Sequence, residues 1–171
     1  DKVEKKVDNN HNIIILSDRK TSKKHAPIPI LLVCSYVHHS LIKRKKRSKF
    51  GIVIESAEPR EPHHFSMLFG YGASAINPYM VNEIIEYHHK LGFLNEQKLD
   101  KSIDNFNRAI AKGILKVMNK IGISTLHSYR GAQIFEALGL RQKFVNKYFN
   151  NTPSRIEGAG LYVLEKEVSS R

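Results

Sequence analysis

Short, unbroken apolar runs alternate along this chain with longer stretches in which apolar residues recur every three or four positions. Residues 12–16 (NIIIL) form a continuous β-branched run, the pattern of a strand buried on both faces. From Pro27 to Lys45 the residues Ile30, Val33, Val37 and Leu41 keep helical spacing, with Pro27 and Pro29 marking the entry. Residues 50–56 (FGIVIES) predict a second buried strand, and 61–72 a short helix that runs out in Gly70 and Gly72. A third strand is expected over 73–77. Asn77 then stands where it can cap a helix, with Pro78 at its first position and Gly92 just past its end. The strongest helical pattern spans 96–120, where Leu99, Ile103, Phe106, Ile110, Ile114 and Val117 recur at spacings of three and four. A fourth strand is expected over 122–126, a helix over 131–138 carrying Ile134, Phe135 and Leu138, and a shorter helix over 141–149. Residues 150–160 are turn-rich and read as exposed.

Strands separated by connections long enough for a helix predict an α/β fold, a parallel sheet with alternating helices. The order is compatible with part of a barrel-like domain or part of a doubly wound one. The first strand begins almost at the chain start with no helix before it, which points to a piece of something longer.

Composition narrows the class. The 171 residues are 41% hydrophobic and 26% charged, ordinary usage for a folded domain. No apolar run approaches the roughly 18–20 residues that a membrane span needs. The opening DKVEKKVDNN has no apolar core of the kind a signal peptide carries. A lone cysteine, Cys34, rules out an intramolecular disulfide and fits a reducing compartment. The net charge of +12 is weighted toward the first third, chiefly through KRKKRSK, Lys43 to Lys49. Such a run can contact nucleic acid. It lacks interleaved aromatics and any nucleic-acid module, so a solvated helix end is the favoured reading.

Candidate chemistry collects where the predicted strands end. Asp18 and Arg19, Glu55, Asn77, and the stretch from Ser124 through Ser128 to Arg130 all lie at carboxyl ends, the edge where parallel α/β folds bind ligands. Asp18 and Arg19 fit a cap, an interdomain ion pair or a ligand contact. Glu55 reads as a paired structural carboxylate before a catalytic base, and Arg130 is the best single candidate for an anion contact. The doublets His38–His39, His63–His64 and His88–His89 read as packed or surface groups, because adjacent helical positions point about 100° apart and cannot share one ion. GYGASA, residues 70–75, lies after a helix and before a strand, the reverse of a dinucleotide loop. Cys34 sits on an apolar stripe with Val33 and Val37 and reads as core.

The blocks NIIILSDR, HAPIPILLVCSYVHHSLI, ESAEPREPHHFSMLFGYGASAINPY, GILKVMNKIGISTLHSYRGAQIFEALGL and TPSRIEG together resemble the central domain of glutamate synthase, in its large subunit. The resemblance runs from about residue 12 to 158, with 1–11 a poorly matched extension and 159–171 a linker toward the next domain. It implies an α/β segment between an amidotransferase domain that releases ammonia from glutamine and a barrel domain that binds FMN and an iron–sulfur cluster and forms glutamate. The segment itself would carry no catalytic residue, cofactor or metal. Asp18, Arg19, Glu55, Asn77, Ser128 and Arg130 become candidates for interdomain contacts or for lining an ammonia route. The implied partners are those two domains of the same polypeptide, with a small reductase subunit or ferredoxin, and neither nucleic acid nor membrane. The implied location is the cytoplasm, or a plastid or organelle stroma in a eukaryote. The competing readings are a stand-alone protein binding a small anion through Arg130 and the polar strand ends, and a nucleic-acid binder through Lys43 to Lys49.

Overall fold

The computed structural model describes residues 2–94 and 98–170. A parallel three-stranded sheet forms first, from β1 (Ile13–Ser17), β2 (Gly51–Glu55) and β3 (Ala75–Asn77), in the order β1-β2-β3. Ile14 pairs with Ile52, and Leu16 with Ile54, which in turn faces Ile76 on β3. Between the strands run α2 (Ile30–Lys43) and α3 (Pro62–Gly70), and α4 (Tyr79–Lys90) follows β3. The parallel α/β architecture expected from the apolar rhythm is present in these strands.

The sequential strand order has a consequence for packing. Crossovers of the same, right-handed sense carry consecutive helices to one face of the sheet. Ile30, Cys34 and Leu41 of α2 and Leu68 of α3 accordingly share a core with Ile14, Ile52 and Ile54. On the opposite face Ile13 and Ile15 remain 64% and 61% exposed. The expectation that β1 is buried on both faces is therefore corrected: one face is packed and the other is open.

An unexpected helix, α1 (Lys2–Asp8), precedes β1 and closes the packed face by burying Val7. Its acids meet the basic run. Arg44 and Lys46 both pair with Glu4, and Lys46 also reaches Asp8 at 2.8 Å. Two members of the run thus clamp α1, while Lys43, Lys45 and Lys49 stay exposed at and beyond the helix end.

The strongest helical pattern is observed as α5 (Leu99–Ile121); the expected start at residue 96 lies outside the described residues. Its Gly113 lies against Pro62 so closely that a Cβ would come within 2.6 Å of that ring, and Phe106 meets Phe65 edge-on. Gly122, with φ at +72°, ends the helix, and Ile123 donates back to Met118. That is a helix-terminating motif, so the strand expected over 122–126 does not form. Thr125 instead caps a short helix, α6 (Leu126–Tyr129), accepting from the Ser128 amide at 3.2 Å.

The helix expected over 131–138 is also absent. Positive φ at Gly131, Gln133 and Gly139 prevents it, and Ala137–Leu140 form β4. After α7 (Gln142–Tyr148), residues expected to be exposed turn include β5 (Ser154–Ala159), which pairs parallel with β4 and leads into α8 (Leu161–Ser169). This second unit is fastened to the first by Ser35, whose hydroxyl donates to the Tyr148 carbonyl at 2.6 Å, and by Leu32 and Tyr71 packing on Phe144, Val145 and Phe149.

The two faces of the sheet should differ sharply in their response to mutation. Ile54→Ala, at a side chain with no exposure, should cost about 2–5 kcal/mol. Ile15→Ala should change stability by no more than about 0.5 kcal/mol. Urea unfolding of the chain measures both, and equal losses would contradict a one-sided sheet.

Candidate functional site

The carboxyl edge of the three-stranded sheet gathers Asp18, Arg19, Glu55 and Asn77 into one network. Glu55 ends β2. Its carboxylate accepts from the Ser17 hydroxyl at 2.6 Å, from Arg19 Nε at 2.9 Å and from Asn77 Nδ2 at 3.4 Å. Arg19 also reaches Glu83 on α4 at 3.3 Å and lies flat over the Tyr79 ring, 4.0 Å from its centre. Asp18 accepts from the Ser56 hydroxyl at 2.6 Å, from the Ala57 amide and from the Tyr79 hydroxyl at 2.8 Å. Asp18 and Arg19 therefore stitch the loop after β1 to the ends of β2 and α4. Asn77 is not a helix cap: its side chain turns to Glu55, and Pro78 occupies the position before α4.

Electrostatics follow from this pairing. The Ser17 hydroxyl, followed by Arg19, holds the Glu55 carboxyl below its ordinary value of 4.5. Burial and the hydrogen bond to Asp18 push the Tyr79 phenol up to about 12, so it stays a donor. Beside the network a 410 Å³ hollow opens between β1 and the entry to α2, lined by Ser17, Thr21 and His25 and by the apolar Pro27, Ile28 and Val33. Ser17 and Ser56 stand with the polar strand ends that the sequence marks, whereas Tyr79 and Glu83 were missed by sequence reading. Tyr79 alone left a signal, an aromatic at the first turn of the helix that follows a polar strand end.

Ser128 and Arg130 lie elsewhere. Ser128 is held by the Thr125 cap, and Arg130 follows α6 rather than a strand. Arg130 stands near Arg47 and His38; burial chiefly, with the Arg130 charge adding to it, lowers the Arg47 value. Arg47 turns inward from the basic run. It donates to His38 Nδ1 at 2.9 Å, to the Phe50 carbonyl at 2.6 Å and to the Gly72 carbonyl at 2.7 Å. Burial, followed by the Arg47 charge, lowers His38 to about 4, which makes it a neutral acceptor.

Neither Cys34 nor the GYGASA stretch suits an iron–sulfur cluster or a flavin phosphate. A cluster takes about three or four thiolates. Cys34 is fully buried, its thiol is pushed up to about 12 by burial, and it faces the Tyr71 carbonyl at 3.6 Å. Around GYGASA the amides of Tyr71, Gly72 and Ala73 are already bonded to the carbonyls of Met67, Phe69 and Leu68. No free amides are left there to cradle a phosphate. Among the described residues no group of three or more His, Cys, Asp or Glu side chains is arranged to hold a metal.

This is a parallel α/β segment whose carboxyl strand edge is largely occupied by its own ion pairs and hydrogen bonds. Residues 1–141 match the model of the glutamate synthase central domain, and the chain belongs to that family. It is 40% identical over 168 residues to the glutamate synthase [NADPH] large chain of Bacillus subtilis, covering 98% of this chain and 11% of that protein. It is 46% identical over 156 residues to the glutamate synthase [NADH] of Schizosaccharomyces pombe, covering 89% of this chain and 7% of that protein. To the ferredoxin-dependent glutamate synthase of Antithamnion sp. it is 41% identical over 166 residues, 91% of this chain and 11% of the relative. The chain thus spans about a tenth of the length of these relatives.

Linkage sets the sign of the pH response at the network. Because the folded-state value of Glu55 is depressed, its stabilising contribution is complete above pH 4.5 and is lost as pH falls through the lower, folded value. Glu55→Gln should therefore lower the unfolding midpoint at pH 7, with the gap to wild type closing as the pH drops below 4.5. Parallel thermal scans across pH test this; a gap that widens in acid would reverse the assignment.

Proposed function

We propose that this chain serves as a structural segment of a glutamate synthase polypeptide, joining an amidotransferase domain to an FMN-binding domain and helping to guide ammonia between them. In this reading residues 12–158 form the later part of the central domain, 1–11 are an extension and 159–171 lead toward the following domain. The intact enzyme would use glutamine and 2-oxoglutarate to make two glutamates, with FMN and an iron–sulfur cluster supplied by other parts of the polypeptide. NADPH, NADH or ferredoxin, the donors named for the relatives, would act through a reductase subunit or directly on those parts. The setting would be the cytoplasm or an organelle stroma; none of the described helices is long and apolar enough to cross a membrane.

The observation that carries this reading is the open face of the first sheet. Parallel sheets are stable with both faces covered, yet Ile13 and Ile15 are more than half exposed while the edge above them is closed by Glu55, Arg19 and Asn77. An apolar face under a fixed polar rim suits burial against neighbouring domains. The positioning candidates are Asp18, Arg19, Glu55 and Asn77 at that rim, with Ser128 and Arg130 toward the second unit.

Ile15→Asp in the intact enzyme tests the role, because an exposed position leaves the folding of the segment itself little affected. Glutamine consumption should continue while less of the released ammonia appears as glutamate, so the ratio of glutamine consumed to glutamate formed should rise toward double its coupled value, the limit at which hydrolysis alone yields one glutamate per glutamine. An unchanged ratio at unchanged rates would remove the sheet face from any positioning role.

A further inference from the structure

We propose that the outer edge of β1 receives a fourth strand from elsewhere in the longer polypeptide, an extended segment with apolar residues along it and acids at both ends. This rests on the reading of the chain as one segment of a larger protein, and it concerns the backbone edge of the sheet rather than its open face. The register fixes which groups are free. The Asn12 carbonyl accepts from the Gly51 amide and the Asp18 amide donates to Glu55, so residues 12, 14, 16 and 18 address β2. The N–H and C=O groups of Ile13, Ile15 and Ser17 therefore point away from the sheet, and β1 has no strand neighbour on that side among the described residues.

Exposed edges are ordinarily blunted by short strands, charge, proline or bulges. β3, the other edge of this sheet, is three residues long, and the β4–β5 pair is interrupted by register shifts. β1 carries none of these devices: it runs five residues, IIILS, without proline or charge, and pairs with β2 in unbroken register. The core beneath it is also unfinished. Val3 and Leu16 are only half-buried, and hollows of 280 and 410 Å³ meet at Ile15 and Leu16, one toward α1 and the other toward the entry to α2. Alternate side chains of an added strand would enter these hollows, while the others would extend the open face beside Ile13 and Ile15.

The flanks set the charge of the occupant. Lys2, Lys6 and His11 line the hollow at the start of β1, and Lys20 and His25 line the one at its end. Among the described residues Lys2, Lys6 and Lys20 form no salt bridge. The acid that lines the second hollow, Asp18, is spent on Ser56, Ala57 and Tyr79. A strand with Asp or Glu at each end would pair with these cations, whereas β1 of a second copy would bring like charges together. Main-chain bonds along the edge would supply affinity, and the hollows would select the alternate side chains. The relatives are about ten times the length of this chain, so the longer polypeptide has ample sequence for such a segment.

The test is residue-resolved amide hydrogen exchange in the intact enzyme, where β1 carries its own control. The outward amides of Ile13, Ile15 and Ser17 should exchange within about tenfold of the inward amides of Ile14 and Leu16; outward amides faster than that would overturn the proposal without any variant. Ile15→Pro, set against Ile15→Ala, isolates the loss of the outward amide, because proline is tolerated on an edge where that amide faces solvent. It should speed exchange at Ile13 and Ser17 about tenfold over Ile15→Ala, and equal exchange in the two variants would also remove the strand. Ile15→Asp keeps the amide and charges the face. If it uncouples glutamate formation while the edge exchanges freely, the scaffold reading stands and the added strand falls. A structure of the intact enzyme then identifies the occupant. A segment of the same polypeptide with one acid near Lys2 or Lys6 and another near Lys20 supports the proposal; β1 of a second copy, or a strand without those acids, overturns it.

Discussion

One half-buried guanidinium holds the two halves of the first core in register. Arg47 reaches from the end of the basic run to the His38 ring on α2, the backbone just before β2 and the turn between α3 and β3. A charge taken from water is stable only where fixed acceptors replace its hydration, so these three partners must stay in place for the arginine to remain inside. The turn is correspondingly specific. Gly72 has φ at +109°, and a Cβ there would come within 2.2 Å of His38 Nδ1. Only glycine lets that ring approach closely enough to accept from Arg47. The same basic run fastens α1 from outside through Arg44 and Lys46, so one short segment organises both the interior and the lid of the packed face.

The sheet so assembled is one-sided because of its topology. Consecutive strands in sequential order send α2 and α3 to the same face, and nothing in the described segment returns to the other. Ile13 and Ile15 are thus a product of strand order rather than of weak patterning; their side chains suit a fully buried strand. The chain spans about a tenth of its relatives' length, and the open apolar face is the observation on which the proposed role rests.

The first half of the chain was far more legible than the second, for identifiable reasons. β1, β2, α2 and α3 follow strong periodicity bounded by prolines and glycines, and tertiary packing agrees with local preference. From residue 122 onward the signals conflict. Ile123 and Leu126 look like a strand, yet Gly122 terminates α5 and Thr125 caps α6, so local capping wins over a short apolar run. Ile134, Phe135 and Leu138 keep helical spacing, but positive φ at Gly131, Gln133 and Gly139 leaves that spacing without a helix, and Phe135 is recruited by Tyr71 instead. At the polar edge the meeting of Asp18, Arg19, Glu55 and Asn77 was foreseeable from parallel strand ends alone. That Tyr79 and Glu83 would complete the network depends on how α4 folds back over it, which no spacing encodes.

The two polar clusters handle charge in opposite ways, and the difference separates structure from potential chemistry. At the sheet edge Asp18, Glu55 and Glu83 are matched by Arg19, by hydroxyls from Ser17, Ser56 and Tyr79, and by the Asn77 amide. Such a network spends its donors and acceptors internally, and its function is to hold loops in place. Around His38 and Arg130 there is positive charge with neutral acceptors and no acid among the described residues. Two arginines of this +12 chain are therefore held near one another in a half-buried setting instead of on the solvated surface. Keeping two guanidiniums close without a carboxylate costs free energy that packing must offset, and a purely structural site would do better with an acid or an apolar pair in their place.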